Sequence, residues 1–238
     1  MHISKITFHY DKFPDKEVYP FNLPLYRDCK KITFDTPVTF FIGENGTGKS
    51  TLLRAICRKC GIHIWEDTER SRFQYNVHEE ELYKYVDIKW VNGSVPGTFF
   101  GSQIFHDFAR FLDEWARATP AILDYFGGKS LMTQSHGESF ISFFTAIYKV
   151  RGIHFLDEPE TALSPKNQIL LLKLLDSMSK DGHAQFIVAT HSPILMSLPG
   201  AIIYDLDNPK NSPIKYNDTG HYQIYKDFLN NPDKYLDV

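Results

Sequence analysis

The chain has little cysteine, no long apolar run, no repeat and no surplus of charge. Three cysteines (Cys29, Cys57 and Cys60) in 238 residues are too few to staple a fold of this size. A disulfide framework is excluded and a reducing compartment is expected. No stretch of about 18 apolar residues occurs, which excludes a membrane-spanning helix. The opening MHISKITFHY alternates apolar and polar side chains and lacks the continuous apolar core of a secretion signal, so a cytoplasmic location is the expectation. Lys plus Arg number 26 against 29 Asp plus Glu, a net charge of −3 with the ten histidines neutral. That balance excludes a general polyanion binder while leaving room for a local basic patch. No heptad array is present either, so the long coiled-coil arms of a tethering protein are excluded. What remains is a globular composition, 42% hydrophobic and 15% aromatic, rich enough to build a real core.

Gly43-Glu44-Asn45-Gly46-Thr47-Gly48-Lys49-Ser50 has the spacing G-x-x-x-x-G-K-[ST]. Before it lies Val38 to Ile42, a β-rich run that reads as a buried strand. After it, Thr51 to Cys57 reads as a helix that stops near Gly61. Strand, glycine turn and helix is the context in which backbone N–H groups turn inward around phosphate oxygens, with the helix N-terminus adding partial positive charge. Lys49 is then placed to reach terminal phosphates, and the Ser50 hydroxyl to ligate Mg²⁺.

Ile153-His154-Phe155-Leu156-Asp157-Glu158 is a second apolar run, ending in two acids. A buried parallel strand delivers such carboxylates to the edge of the sheet where α/β sites form. Asp157 suits Mg²⁺. Glu158, on the opposite side of the strand or just beyond it, suits the orientation of an attacking water. Cys57 and Cys60 form one C-x-x-C with His63 nearby, but a zinc site needs four ligands and no second pair follows. Packing is the simpler reading.

With those two segments in place, the chain resembles an ABC-type ATPase from about Lys31 to Ile203. Leu156 to Pro159 is similar to its Walker B segment, and Thr161 to Pro165 to its D-loop, with Ser164 where many relatives have aspartate. Ala189 to Pro193 is similar to its switch-histidine segment. Ser135-His136-Gly137-Glu138-Ser139 is similar to its signature motif, with His136 where many relatives have glycine or serine. More narrowly, Phe99 to Gln103, Gln134 to Ser139, Asp157 to Glu160, Thr190 to Leu195 and the tail His221 to Asn230 resemble a family of small stand-alone ATPases. That family belongs to the soluble branch that includes DNA-repair and chromosome-maintenance proteins.

The resemblance implies ATP and Mg²⁺ as ligands. ATP would be held by Asn45, Gly46, Thr47, Gly48, Lys49, Ser50 and Thr51, and, from a second copy of the chain, by Ser135 and Gly137. It implies Mg²⁺ at Ser50 and Asp157 with Gln103, and turnover through Glu158, His191 and Gln103. It also implies a head-to-tail homodimer closed by ATP and acting on a protein partner or a nucleic acid. A transporter's nucleotide-binding subunit and a regulatory ATP-binding module with little turnover stay open as alternatives. Tyr10, Tyr19, Phe21 and Tyr26 are all candidates for an aromatic against adenine.

The expected fold class is α/β over residues 1–238, a single ABC-type ATPase head with a mainly parallel core sheet. An antiparallel β-lobe is expected over about 62–98, closed by a hairpin turn at Asn92-Gly93. A short helical arm and the signature helix are expected over 104–150. Within that span Ile104 to Phe126 reads as a helical arm, with apolar Phe108, Phe111, Leu112 and Trp115 at helical spacing.

Overall fold

The structure is a computed structural model describing residues 1–65, 76, 78–134, 136–147 and 149–236. Among the described residues, eight strands form two sheets: β1 (Ile3–Phe8), β2 (Lys31–Thr33), β3 (Val38–Ile42), β4 (Val86–Trp90), β5 (Gly97–Gly101), β6 (Gly152–Asp157), β7 (Ala184–Ala189) and β8 (Ile202–Asp205). The α-helices that accompany them there are α1 (Pro24–Asp28), α2 (Lys49–Lys59), α3 (Ser102–Ala118), α4 (His136–Ile147), α5 (Pro165–Lys180), α6 (Pro193–Met196) and α7 (Gly220–Asn230). The five-stranded sheet runs β5-β6-β7-β3-β8 and every pair in it is parallel. The three-stranded sheet runs β2-β1-β4 and is antiparallel.

The parallel strands look like unbroken apolar runs because both of their faces are covered. Phe41, Phe155, Ile187 and Ala189 face one core, which they share with α2 and the antiparallel sheet. Phe40, Leu156, Phe186 and Val188 face the other, under α3, α4 and α5. The alternation of period two is intact, but both sets are buried. A phenylalanine cluster fills the second core. The ring of Phe100 lies 4.7–5.8 Å from those of Phe105, Phe140, Phe143 and Phe144, and the rings of Phe105 and Phe140 stack at 4.1 Å. These contacts fix α4 against β5 and α3.

One expectation needs correction. The hairpin at Asn92-Gly93 does not form. β4 pairs with β1 in one sheet, while β5 pairs in parallel with β6 in the other. The antiparallel sheet therefore takes β4 alone from residues 62–98, and its other two strands come from the N-terminal part of the chain. The segment between β4 and β5 crosses from one sheet to the other. β4 alternates buried and open positions, as a sheet with one wet face requires. β5 buries both Phe99 and Phe100, which a one-sided sheet cannot accommodate. The close approach of β5 to β6 also excludes a side chain at Gly97, since a Cβ there would sit 2.2 Å from the Ile153 carbonyl oxygen. The expected helical arm is present, in two parts. α3 stops at Ala118, and Pro120–Phe126 continues as a 3₁₀ turn, because Pro120 removes a backbone donor and disfavours helix at the residue before it.

Gln185 joins the two sheets. Fully buried on β7, its Oε1 accepts from His2 N at 2.6 Å and Ile3 N at 2.8 Å, while its Nε2 donates to Ile3 O at 3.0 Å. One side chain thus satisfies three backbone groups at the start of β1. Gln185→Leu keeps the volume and strands those groups. The expected loss is about 2–4 kcal/mol, read as a lower urea midpoint and a thermal midpoint reduced by about 5–10 °C. An unchanged midpoint would mean that the N-terminal strand finds other partners.

Candidate functional site

The phosphate loop leaves β3 and enters α2 as the motif requires. Gly43, Gly46 and Gly48 have φ of 143°, 85° and 93°, and only glycine takes such values without strain. At Gly48 space excludes a side chain too, because a Cβ would meet Leu23 Cδ1 at 2.6 Å. Asn45 and Gly46 are exposed at the loop's crest. Thr47 closes the turn, its Oγ1 donating to Glu44 O at 2.9 Å. Asp207, beyond β8, accepts from Glu44 N at 2.9 Å and braces the loop from outside.

Lys49 is 4% exposed. Its ammonium donates to the carbonyls of Gly43 at 2.8 Å and Glu44 at 3.0 Å. Burial pushes its pKa below the usual lysine value, against the pull of Glu158, Asp207, Asp157 and Glu160. Ser50 Oγ donates to Asp157 Oδ1 at 2.8 Å, so the two expected Mg²⁺ ligands, more than a hundred residues apart in sequence, lie side by side. Burial raises the Asp157 pKa, partly offset by the Ser50 hydrogen bond and the nearby Arg54. The donor set is two oxygens, one of them a carboxylate. That suits Mg²⁺, which takes one or two protein oxygens and completes its shell with water and phosphate.

Glu158 sits just past β6 with φ 46° and ψ 55°. This left-handed turn sends its carboxylate toward His191, with Oε1 3.5 Å from His191 Nε2. That nitrogen is buried and has no hydrogen-bond partner among the described residues. A buried polar atom in this position calls for a partner that the described residues do not supply. Burial and Lys49 hold His191 below the usual imidazole range, with Glu158 pulling the other way. Glu160, which sequence reasoning left without a role, clamps the same segment. Its Oε2 accepts from Thr190 Oγ1 at 2.8 Å and its Oε1 from His191 N at 2.5 Å. Burial raises the Glu160 pKa and these hydrogen bonds oppose the rise. The signal for it was Pro159, which opens a tight turn and folds the next acid back. His221 also went unassigned, and its Nε2 lies 3.0 Å from His191 Nδ1.

Among the four candidate aromatics, Phe21 and Tyr26 are core residues and Tyr10 packs against the core. Tyr19 is exposed, and its hydroxyl hydrogen-bonds Thr51 Oγ1. With Ser50, Thr51, Arg54 and Arg58 it lines a cleft of about 300 Å³ beside the phosphate loop.

The signature and Q-loop positions are less completely described. Ser135 lies outside the described residues. Gly137 opens α4, and its nearest neighbour is Asn167 at the start of α5. Gln103 stands in the first turn of α3 beyond Gly101, which pairs with Asp157; its side chain lies outside the described part. Burial pushes up both Cys57 and Cys60, Cys60 to about 12. Both close the end of α2, and Cys57 Sγ donates to Ile62 O at 3.6 Å. Among the described residues no helix is long and apolar enough to cross a membrane.

Comparison with known proteins finds similarities over parts of the chain. Residues 139–196 match the AAA ATPase domain family, and residues 21–90 match the AAA domain family. The chain is 27% identical over 176 residues to the ferric enterobactin transport ATP-binding protein FepC of Escherichia coli strain K12, a match covering 66% of this chain and 64% of that protein. In fold it is similar to a solved structure described as a metal-chelate type ABC transporter in an inward-facing conformation. The TM-score there is 0.50 at 16% identity, over 94% of this chain and 90% of that one. It also matches the SMC head domain from Thermotoga maritima, with a TM-score of 0.46 at 18% identity over 86% and 94% of the two chains. The fold is that of an α/β P-loop head, and parts of the sequence are similar to AAA ATPase domains and to the ATP-binding protein of a transporter.

The charges gathered here have a consequence for stability. An ionised Asp157 is held at a cost in the ligand-free fold, and a neutral asparagine avoids that cost while keeping an acceptor for Ser50. In EDTA at pH 7, Asp157→Asn is expected to raise the thermal midpoint by about 2–4 °C, roughly 1 kcal/mol. It should also lose the further rise that Mg²⁺-ATP gives the wild type. A lower midpoint in EDTA would show that Arg54 and Lys49 more than offset the burial.

Proposed function

We propose that the chain hydrolyses ATP to ADP and phosphate with Mg²⁺, as a head-to-tail homodimer whose closure drives an attached protein or nucleic acid. The observation that carries this reading is the convergence of Lys49, Ser50, Asp157, Glu158 and an unsatisfied His191 Nε2 at one sheet edge. The loop amides of Gly46 to Ser50 and the N-terminus of α2 bind the phosphates. Lys49 exchanges its two loop carbonyls for phosphate oxygens. Mg²⁺, held by Ser50 and Asp157 with Gln103 nearby, supplies positive charge against the charge that develops on the transferred group. Glu158 accepts a hydrogen bond from the attacking water and orients it in line, and His191 Nε2 meets the terminal phosphate. Tyr19, beside Thr51, is the aromatic we assign to the base or ribose. Within this reading residues 1–238 act as one ATPase head in the cytoplasm.

The dimer is proposed from the signature segment. Gly137 stands in the first turn of α4, a place suited to an anion. With Ser135, which lies outside the described residues, it is assigned to the nucleotide of a second copy, which gives an isologous interface and two composite sites. The match to a ferric enterobactin transport ATP-binding protein favours a second reading, the nucleotide-binding subunit of a transporter. Co-purification with a membrane protein would mark it.

Light scattering on Glu158→Gln separates these readings. With Mg²⁺-ATP the solution mass is expected to double from the 27.6 kDa of one chain, and to stay single without it. Wild-type phosphate release should exceed that of Glu158→Gln by about a hundredfold or more. A chain that binds ATP and never pairs would sink the self-contained dimer and assign the second half-site to a partner. Equal turnover in the two proteins would make the chain a regulatory binding module.

A further inference from the structure

The ring of His191 has one neighbour that the hydrolytic reading does not use. Its backbone is fixed by Glu160 Oε1 at 2.5 Å, and its Nε2 faces Glu158 Oε1 at 3.5 Å. Its Nδ1, on the far side of the ring, lies 3.0 Å from Nε2 of His221. His221 is the second residue of α7, a helix that buries none of its own residues. Its anchors are the buried Thr219 cap, whose hydroxyl accepts from Tyr222 N, and the paired rings of Tyr216 and Tyr222 at 4.7 Å.

Two neutral imidazoles in contact share one hydrogen bond, so one ring donates and the other accepts. If His191 Nδ1 donated, its Nε2 would carry a lone pair directed at the Glu158 carboxylate, acceptor against acceptor. If His221 Nε2 donates, the proton of His191 is on Nε2 and faces Glu158 and the phosphate site. The second arrangement places a donor toward the Glu158 carboxylate, and the first opposes two lone pairs. It also leaves His191 Nε2–H as a donor without requiring a positive charge on the ring. That matters because the ring is partly buried and lies near the Lys49 ammonium.

We propose that His221 is a positioning residue that fixes His191 as the Nε2–H tautomer, so that the switch histidine offers a neutral hydrogen-bond donor to the terminal phosphate. The role rests on the reading of this site as an ATPase. The geometry behind it does not depend on turnover, and the tautomer can be read with no nucleotide present.

The test uses the full chain labelled with ¹⁵N-histidine, in three forms: wild type, His221→Gln and His221→Leu. Glutamine offers an amide N–H at similar reach, while leucine fills the space and donates nothing. No buried residue of α7 is disturbed, and matching thermal midpoints check that all three fold alike. Without nucleotide, His191 should carry its proton on Nε2 in wild type and His221→Gln, and should show both tautomers in His221→Leu. A wild-type His191 protonated on Nδ1 overturns the proposal whatever the chain does with ATP. In phosphate release, His221→Leu should lower kcat by about tenfold to a hundredfold with KM for Mg²⁺-ATP unchanged, and His221→Gln should recover most of the loss. Full turnover in His221→Leu overturns the positioning role. Failure of the ATPase reading gives a different pattern, with no phosphate release from any form and the wild-type tautomer still on Nε2.

Discussion

Parallel pairing of β3, β6 and β7 is the constraint on which the site depends. Phe41 pairs with Ala189, and Ala189 pairs with Asp157. In that register the segments that follow each strand leave the sheet at the same edge. The phosphate loop, Glu158 and Thr190-His191 are far apart in sequence and become neighbours only because the three strands run the same way. The buried faces hold the register, because a slip of one residue would turn every side chain of a strand to the wrong core. The apolar faces of β6 and β7 are thus what positions the acids.

The electrostatics of the edge have a common pattern. Lys49 is buried and donates to carbonyls rather than to a carboxylate. Asp157 is held by a hydroxyl, and Glu160 by a hydroxyl and a backbone N–H. Each charge is solvated by a dipole, and Lys49 forms no direct ion pair with these acids. A tight lysine–carboxylate pair would have to be broken before a phosphate could enter, at several kcal/mol. Dipole contacts are cheaper to exchange. The burial that lowers the lysine pKa and raises that of the acids also strengthens their interaction with an incoming phosphate and cation.

How much was legible in the sequence divides along local and distant interactions. The phosphate loop, its strand and its helix are local: glycine spacing and the change from period two to period 3.6 place them without further help. The Walker B strand was legible for the same reason. The Asn92-Gly93 turn chemistry was present, and Gly93 has φ 86°. The strands on either side nevertheless go to different sheets, because pairing is decided by which faces are buried, and that is not local. Tyr19 could not be told from Phe21 and Tyr26 in sequence, since all three are aromatics in one loop-rich stretch and only packing separates the exposed ring from the two in the core. Glu160 and His221 act on His191 across about thirty residues of chain. No spacing rule predicts such contacts, although both residues stand inside segments that the family resemblance had marked.

Glu158 illustrates why the last detail of a site is the hardest to read. On a regular strand Asp157 and Glu158 would point to opposite faces, and a single edge could use only one of them. The backbone departs from the strand at Glu158, the sole non-glycine with positive φ among the described residues. That conformation costs about 1–2 kcal/mol for a residue with a Cβ, and the following Pro159 favours extended backbone rather than relieving it. Three hydrogen bonds hold it: Glu158 N to Ala189 O at 2.9 Å, Thr161 N to Glu158 O at 3.1 Å and Thr161 Oγ1 to Glu158 O at 2.8 Å. Glycine would take this turn without strain, and it would bring no carboxylate to the edge. Glutamate at the strained position is therefore evidence for the side chain's use, because the fold gains nothing from it that glycine would not supply at lower cost.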